Sequence, residues 1–251
     1  EKTATVISGN FLNNHLKSSN EEDDDYLPEG AAIHSHNPLI FKSVGKDYFI
    51  SGNYTEDPFR GKIYEGISVA QPLMPDQESS ITFTVVEKGR WIINDQIYYR
   101  QPNDQYDLNN LNSFSVRGDG SGQVLINNEI VNATIVEINK ATLKFDQFTQ
   151  EDGTRGRGAF VRSRRWNDDE DDNRITLPRL TMTNATFHLA NGYRDKIELD
   201  KYTAKGNSFL HLDVNIRELT ADMLTIHGNV EGTAKLILYP DSADDIRGKS
   251  I

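Results

Sequence analysis

Short runs of alternating apolar and polar residues recur along the chain and predict strands that each bury one face. Thr5-Val-Ile7, Leu39-Ile-Phe41, Tyr48-Phe-Ile50, Ile81 to Val86, Trp91-Ile-Ile93 and Phe114-Ser-Val116 open the series. Val124-Leu-Ile126, Ala133 to Ile138, Thr142 to Phe145 and Ala185 to Leu189 continue it. Asn and Gly fill the gaps, as at Asn13-Asn14, Gly52-Asn53, Asn127-Asn128 and Gly206-Asn207. Both residue types accept left-handed backbone and tight corners. Helical patterns are nearly absent: Asn215 to Thr220 fits a turn or two of helix, and fits a loop between strands equally well. The chain is predicted to be all-β.

The last third repeats itself. Asp195-Lys-Ile-Glu-Leu199 is echoed by Asp222-Met-Leu-Thr-Ile226, and each is followed by a glycine (Gly206, Gly232) and then by Leu210-His-Leu212 or Leu236-Ile-Leu238. A sandwich, the default for many short strands, does not demand a repeated strand–turn–strand unit. Stacked coils of a solenoid do. The expected fold is therefore a right-handed parallel β-helix, with Asp195 and Asp222 capping the turn that starts each coil. Alternation points Ile197, Leu199, Leu210, Leu212, Leu224, Ile226, Leu236 and Leu238 inward.

Three segments break the pattern: the acidic run Glu21 to Asp25, the stretch Pro72 to Ser80, and residues 149–173, read as a projecting loop. The last holds Arg155, Arg157, Phe160, Arg162, Arg164, Arg165 and Trp166, followed by Asp168-Asp-Glu-Asp-Asp172. Insertions between coils project from one face, often the interacting one.

Composition narrows the function. A hydrophobic fraction of 36% over 251 residues is low for a compact globule and fits layers that bury only a narrow apolar column. The absence of cysteine excludes disulfides, iron–sulfur clusters, thiolate zinc sites and cysteine nucleophiles. A net charge of -11 opposes nucleic acid and anionic membranes as partners. No run reaches the length of a membrane helix, and the first residues are not a signal peptide. Residues 1–251 read as one β-helix fragment of a longer protein.

Phe11-Leu-Asn-Asn14 and Gly30-Ala-Ala-Ile33, followed by Leu39-Ile-Phe41 and Phe49-Ile-Ser-Gly-Asn53, carry a resemblance. They are similar to the repeats of bacterial autotransporter passengers, above all the polymorphic outer-membrane proteins, where Gly-Gly-Ala-Ile and Phe-x-x-Asn alternate. Here Ala31 replaces the second glycine, and Ile50 rather than Phe49 holds the spacing before Asn53. Trp91 to Ile97 and Gly118-Asp-Gly-Ser-Gly122 with Val124 to Ile130 look like passenger strands and the turn between them. The resemblance implies an adhesin or self-associating passenger at a Gram-negative surface, or shed from it, attached through an outer-membrane barrel absent from this fragment. It implies a host-cell surface protein or glycan, or another copy, as partner. No cofactor and no membrane insertion by this fragment are implied.

Other motifs have plainer readings beside the sharp ones. Arg117-Gly-Asp119 matches a cell-attachment tripeptide, while Gly-Asp-Gly at this place equally turns the backbone. The arginines near Phe160 and Trp166 suggest nucleic acid, but the acidic run that follows neutralises them, and a self-neutralising partner loop is preferred. His34 and His36 have a spacing that chelates metal, yet no third or fourth ligand follows in sequence, so no metal is assigned. His188, His211 and His227 are expected outward on successive coils. A polysaccharide lyase or glycosidase is the alternative function, since such enzymes also use parallel β-helices; no catalytic residue is assigned, because Gly120 interrupts Gly-Asp-Ser-Gly and Ser121 lacks partners.

Overall fold

A computed structural model describes residues 4–17, 32–57, 61–70, 79–100, 111–153, 155–161 and 175–240. They contain strands and no helix, so Asn215 to Thr220 takes the loop alternative: Asn215 Oδ1 accepts from Glu218 N at 2.9 Å and closes the turn. No helix among them is long and apolar enough to cross a membrane.

Parallel pairing dominates three open sheets, none closed into a barrel. The first has eight strands: Thr5–Ile7, Leu39–Val44, Ser79–Val86, Asn112–Gly118, Ile135–Asn139, Ile175–Thr183, Lys196–Lys205 and Met223–Gly232. The second carries Phe11–Leu12, Asp47–Ser51, Arg90–Ile93, Gln123–Ile126, Thr142–Phe145, Thr186–His188, Phe209–Asn215 and Lys235–Pro240, with Thr220–Ala221 antiparallel at one side. The third has five strands: Ile33–Ser35, Glu65–Ala70, Gln96–Arg100, Glu129–Val131 and Ala159–Val161. The chain visits first, second and third sheet in turn, then returns to the first beside the strand it left. After Ala159–Val161 its circuits use the first two sheets only, and the first-sheet strands lengthen to nine and ten residues.

Alternation decides what lies inside. In Ser79–Val86 every second residue is buried, so Ile81, Phe83 and Val85 are covered while Thr82 and Thr84 reach the surface. Register then stacks like on like: Phe41 lies opposite Phe83, Val124 opposite Leu143, and Ile67 opposite Ile97, which faces Ile130. Phe41 and Phe83 stack at 4.7 Å, and Trp91 meets Phe41 edge-on at 5.2 Å. Burying such a side chain stabilises by about 1.5–3 kcal/mol.

The two repeated units do stack, Ile197 opposite Leu224 and Leu210 opposite Leu236. Ile197, Leu199, Leu210 and Leu212 are buried, and Leu224 and Ile226 pack against the core from one side. Leu236 and Leu238 correct the expectation, being 56% and 52% exposed. They lie in the last circuit of the described residues and are covered from one direction only.

Polar ladders hold the corners. Where the chain leaves the second sheet, Asn53 Oδ1 accepts from Asn14 N (3.0 Å) and Asn14 Nδ2 (2.7 Å). Asn53 Nδ2 donates to Phe11 O (2.9 Å) and to Asp95 Oδ2 (2.6 Å). Asp95 Oδ1 accepts from Gly52 N at 2.9 Å. On the neighbouring rung Asn127 Nδ2 donates to Asn94 Oδ1, and Asn94 Nδ2 to Ser51 Oγ. Each side chain ties one circuit to the next.

Truncation separates the inner circuits from the last described one. Phe187→Ala, at a fully buried position, should cost about 3–5 kcal/mol in urea unfolding. Leu238→Ala, at the one-sided end, should stay within about 0.5 kcal/mol. Equal losses would contradict the one-sided cover of the last described circuit.

Candidate functional site

The residues 149–173 are only partly a projecting segment. Gln147–Thr149 and Arg155–Arg157 form an antiparallel hairpin, with Phe148 opposite Gly156 and a turn at Glu151 to Gly153. Ala159–Val161 is the fifth strand of the third sheet, which places Phe160 opposite Ile130. Arg155 is exposed. Arg162, Arg164, Arg165 and Trp166 lie outside the described residues, as does the acidic run after them. Gln150, 4% exposed, pins the start of the hairpin's turn by donating from Nε2 to Asn94 O at 3.1 Å.

A surface group that the sequence reading passed over stands beside this hairpin. His15–Lys17, Tyr54–Asp57 and Gly61–Ile63 make a small sheet of their own, parallel between the first two and antiparallel between the last two. Register puts His15 opposite Tyr54, and their rings stack at 4.4 Å. Lys62 Nζ lies 4.3 Å from the Tyr54 ring centre, a cation–π contact. Tyr64 sits 5.8 Å from Tyr54, and its hydroxyl donates to Asp152 Oδ2 at 2.8 Å, at the tip of the hairpin. Burial and then this carboxylate push the Tyr64 phenol up to about 12. His15 also lies 3.4 Å from Glu56. The result is a partly exposed aromatic surface flanked by charges, braced across 88 residues of chain. Both excursions leave the body between the second and third sheets, and so reach the same edge.

The Arg117-Gly-Asp119 tripeptide occupies the turn between the first and second sheets. Asp119 accepts from Glu87 N (2.8 Å), Ser121 N (2.9 Å) and Ser121 Oγ (2.6 Å), and these bonds hold its carboxyl at about 2. A Cβ on Gly118 would come within 2.4 Å of Val85 O, so only glycine fits there without a shift. Arg117 reaches Glu137 at 3.6 Å. Gly118 and Asp119 thus have work within the turn, while Arg117 pairs with the neighbouring strand of the first sheet.

The acidic residues that the fold gathers also serve backbone. Asp222 accepts from Asp195 N (2.9 Å) and Asp213 N (2.7 Å); Asp213 accepts from Asn191 N (2.7 Å) and Gly192 N (2.6 Å). Asp222 thus serves both the start and the end of the unit before its own. Burial pushes Asp222 up to about 6, against the pull of those amides. On the outer face of the second sheet His188, His211 and Tyr239 form a stack, with ring centres 4.7 Å apart for the first pair and 5.4 Å for the second. Burial, then His211 and Lys144, push His188 down to about 4. His227 is exposed on the next circuit, as expected, but on the first sheet, beside Glu198 at 3.4 Å. No group of three or more His, Asp or Glu able to hold a metal occurs among the described residues.

No protein-family model matches the chain, and no curated protein or solved structure shows significant similarity to it.

The two perturbed groups act oppositely on stability. Asp222 is raised in the fold, so its contribution is full below the ordinary carboxylate range and fades as pH climbs toward 6. His188 is lowered, so its contribution is full above about 6.5 and fades as pH falls toward 4. His188→Gln should therefore lose less Tm than the parent between pH 6.5 and pH 4. Parallel melting curves across that window would show that the imidazole is not held neutral.

Proposed function

We propose that the circuits wind as a right-handed parallel β-helix and form part of a bacterial autotransporter passenger, a surface adhesin or self-associating rod. Parallel strands joined by crossover connections are right-handed in the great majority of proteins, which supports the handedness. The resemblance of Phe11 to Asn53 and of Gly118 to Gly122 to passenger repeats supports the family. The observation that carries the binding role is the braced surface of His15, Tyr54, Lys62 and Tyr64 with Asp152. Aromatic faces beside charged and hydrogen-bonding groups are the combination that contacts proteins and glycans. Its partner is a host-cell protein or glycan, or a second copy of the chain at the bacterial surface. The arginine-rich stretch Arg155 to Trp166 is a second contact region in the same reading, with the Arg117 to Asp119 tripeptide subordinate to its turn.

The experiment compares the parent with Tyr54→Ala/Tyr64→Ala and, separately, with Arg162→Ser/Arg164→Ser/Arg165→Ser/Trp166→Ala. Deleting Arg155 to Asp172 is a poor substitute, since it removes the strand Ala159–Val161. The double tyrosine variant is expected to keep its circular dichroism and to bind cells, or aggregate, at least tenfold less, the loss of roughly 1.4 kcal/mol that one desolvated anchor supplies. Undiminished adhesion in both variants would reject the contact regions. Cleavage of a polysaccharide by the intact chain would replace the adhesin reading with the enzyme one.

A further inference from the structure

The strand Ile33–Ser35 opens the third sheet, with Ile33 opposite Ile67 and His34 opposite Ser68. That pairing fixes the backbone of His34. Two residues on, the chain is held again: Asn37 N donates to Ser35 Oγ at 3.0 Å, and Ser35 Oγ donates to Asn37 O at 3.0 Å. His36 is carried between these restraints. The two imidazoles meet edge to face, planes at 85° and centres 5.0 Å apart, with their Nε2 atoms converging to 3.4 Å.

That separation discriminates between two interactions. A hydrogen bond between ring nitrogens is made at about 2.7–3.2 Å. Two nitrogens each bound to one zinc ion at about 2.0–2.1 Å, and subtending a tetrahedral angle, stand about 3.3–3.4 Å apart. The observed distance matches the second. His34 is half-buried and His36 exposed, so an ion from solvent reaches both. Ser68, on the same sheet position one strand over, is fully buried, and its hydroxyl has no hydrogen-bond partner among the described residues.

We propose that His34 and His36 form a two-imidazole site for a borderline divalent transition-metal ion, zinc or nickel, bound through both Nε2 atoms. Imidazole suits these ions, and the soft or all-oxygen sets that other metals need are absent from the pair. The two imidazoles supply two of the ion's ligands, and an ion held there at the surface can take others from water or from another molecule. Backbone restraint on both sides means little ordering remains to be done when the ion arrives. Because each imidazole must be unprotonated to bind, affinity weakens on acidification.

The test titrates zinc chloride, and in parallel nickel chloride, into the purified chain after chelator treatment, by calorimetry at neutral and at mildly acidic pH. The parent is expected to bind one ion saturably, and less tightly at the acidic pH. His34→Gln and His36→Gln should each weaken binding at least tenfold, and the double variant should abolish it, with circular dichroism unchanged. His188→Gln/His211→Gln should bind as the parent does, which separates this site from the histidine stack on the second sheet. Saturable binding that survives in the double variant, or no binding by the parent at millimolar metal, would overturn the site.

Discussion

Turning a chain from sheet to sheet, inside a stack, buries backbone amides that no strand can serve. Each left unpaired costs about 1–3 kcal/mol. This protein meets that constraint with asparagine and aspartate side chains that reach along the stack to the next circuit. Asn53 is the fullest case: fully buried, it accepts from both nitrogens of Asn14 that face it and donates to Phe11 and Asp95. Asp222 does the same for two buried amides of the circuit before it, those of Asp195 and Asp213. The apolar columns depend on these corners. Phe41 stacks on Phe83 only because both strands leave their turns at the same height.

The corners also settle where chemistry is to be sought. Carboxylates are plentiful in the chain, and the buried Asp95, Asp213 and Asp222 are committed to backbone amides. Burial raises Asp95 and Asp222 while the amides that each accepts pull the other way. The rings that reach the surface lie instead on the outside: the tyrosines near the hairpin, the histidine stack, and the convergent pair at the start of the third sheet.

Strands of the first two sheets were legible in the sequence where apolar residues stand at both ends of an alternation, as in Ile81 to Val86 and Val124-Leu-Ile126. The third sheet was not. Its strands are three to six residues long, and Ile33-His-Ser or Glu129-Ile-Val offers too few positions for a period of two to emerge. What would have revealed it is stacking, since Ile33, Ile67, Ile97 and Ile130 each sit at the same place in successive circuits. The same gap explains Phe160 and its neighbours. Residues 149–173 look like one insertion until Ala159 to Val161 is seen to complete a circuit. Tyr54 and Tyr64 were missed for another reason: neither stands in a motif, and their meeting with Asp152 is a product of pairing across the fold. The repeat from Asp195 was legible because it is written twice.

A stack of this kind has an energetic property that bears on how it gains function. Each circuit meets only its neighbours, so a change in one corner is felt by the circuits above and below and little further. An excursion can therefore be added at a corner at low cost, provided that the ladder residue there is kept. The small sheet from His15 to Ile63 and the hairpin from Gln147 to Arg157 both obey that condition. The first leaves beside Asn14 and Asn53, and the second is pinned through Gln150 to Asn94. Because both use the corner between the second and third sheets, separate insertions far apart in sequence arrive at one edge, and Tyr64 can reach Asp152. The ladder that solves the amide problem is thus also what aligns the surface on which binding is proposed.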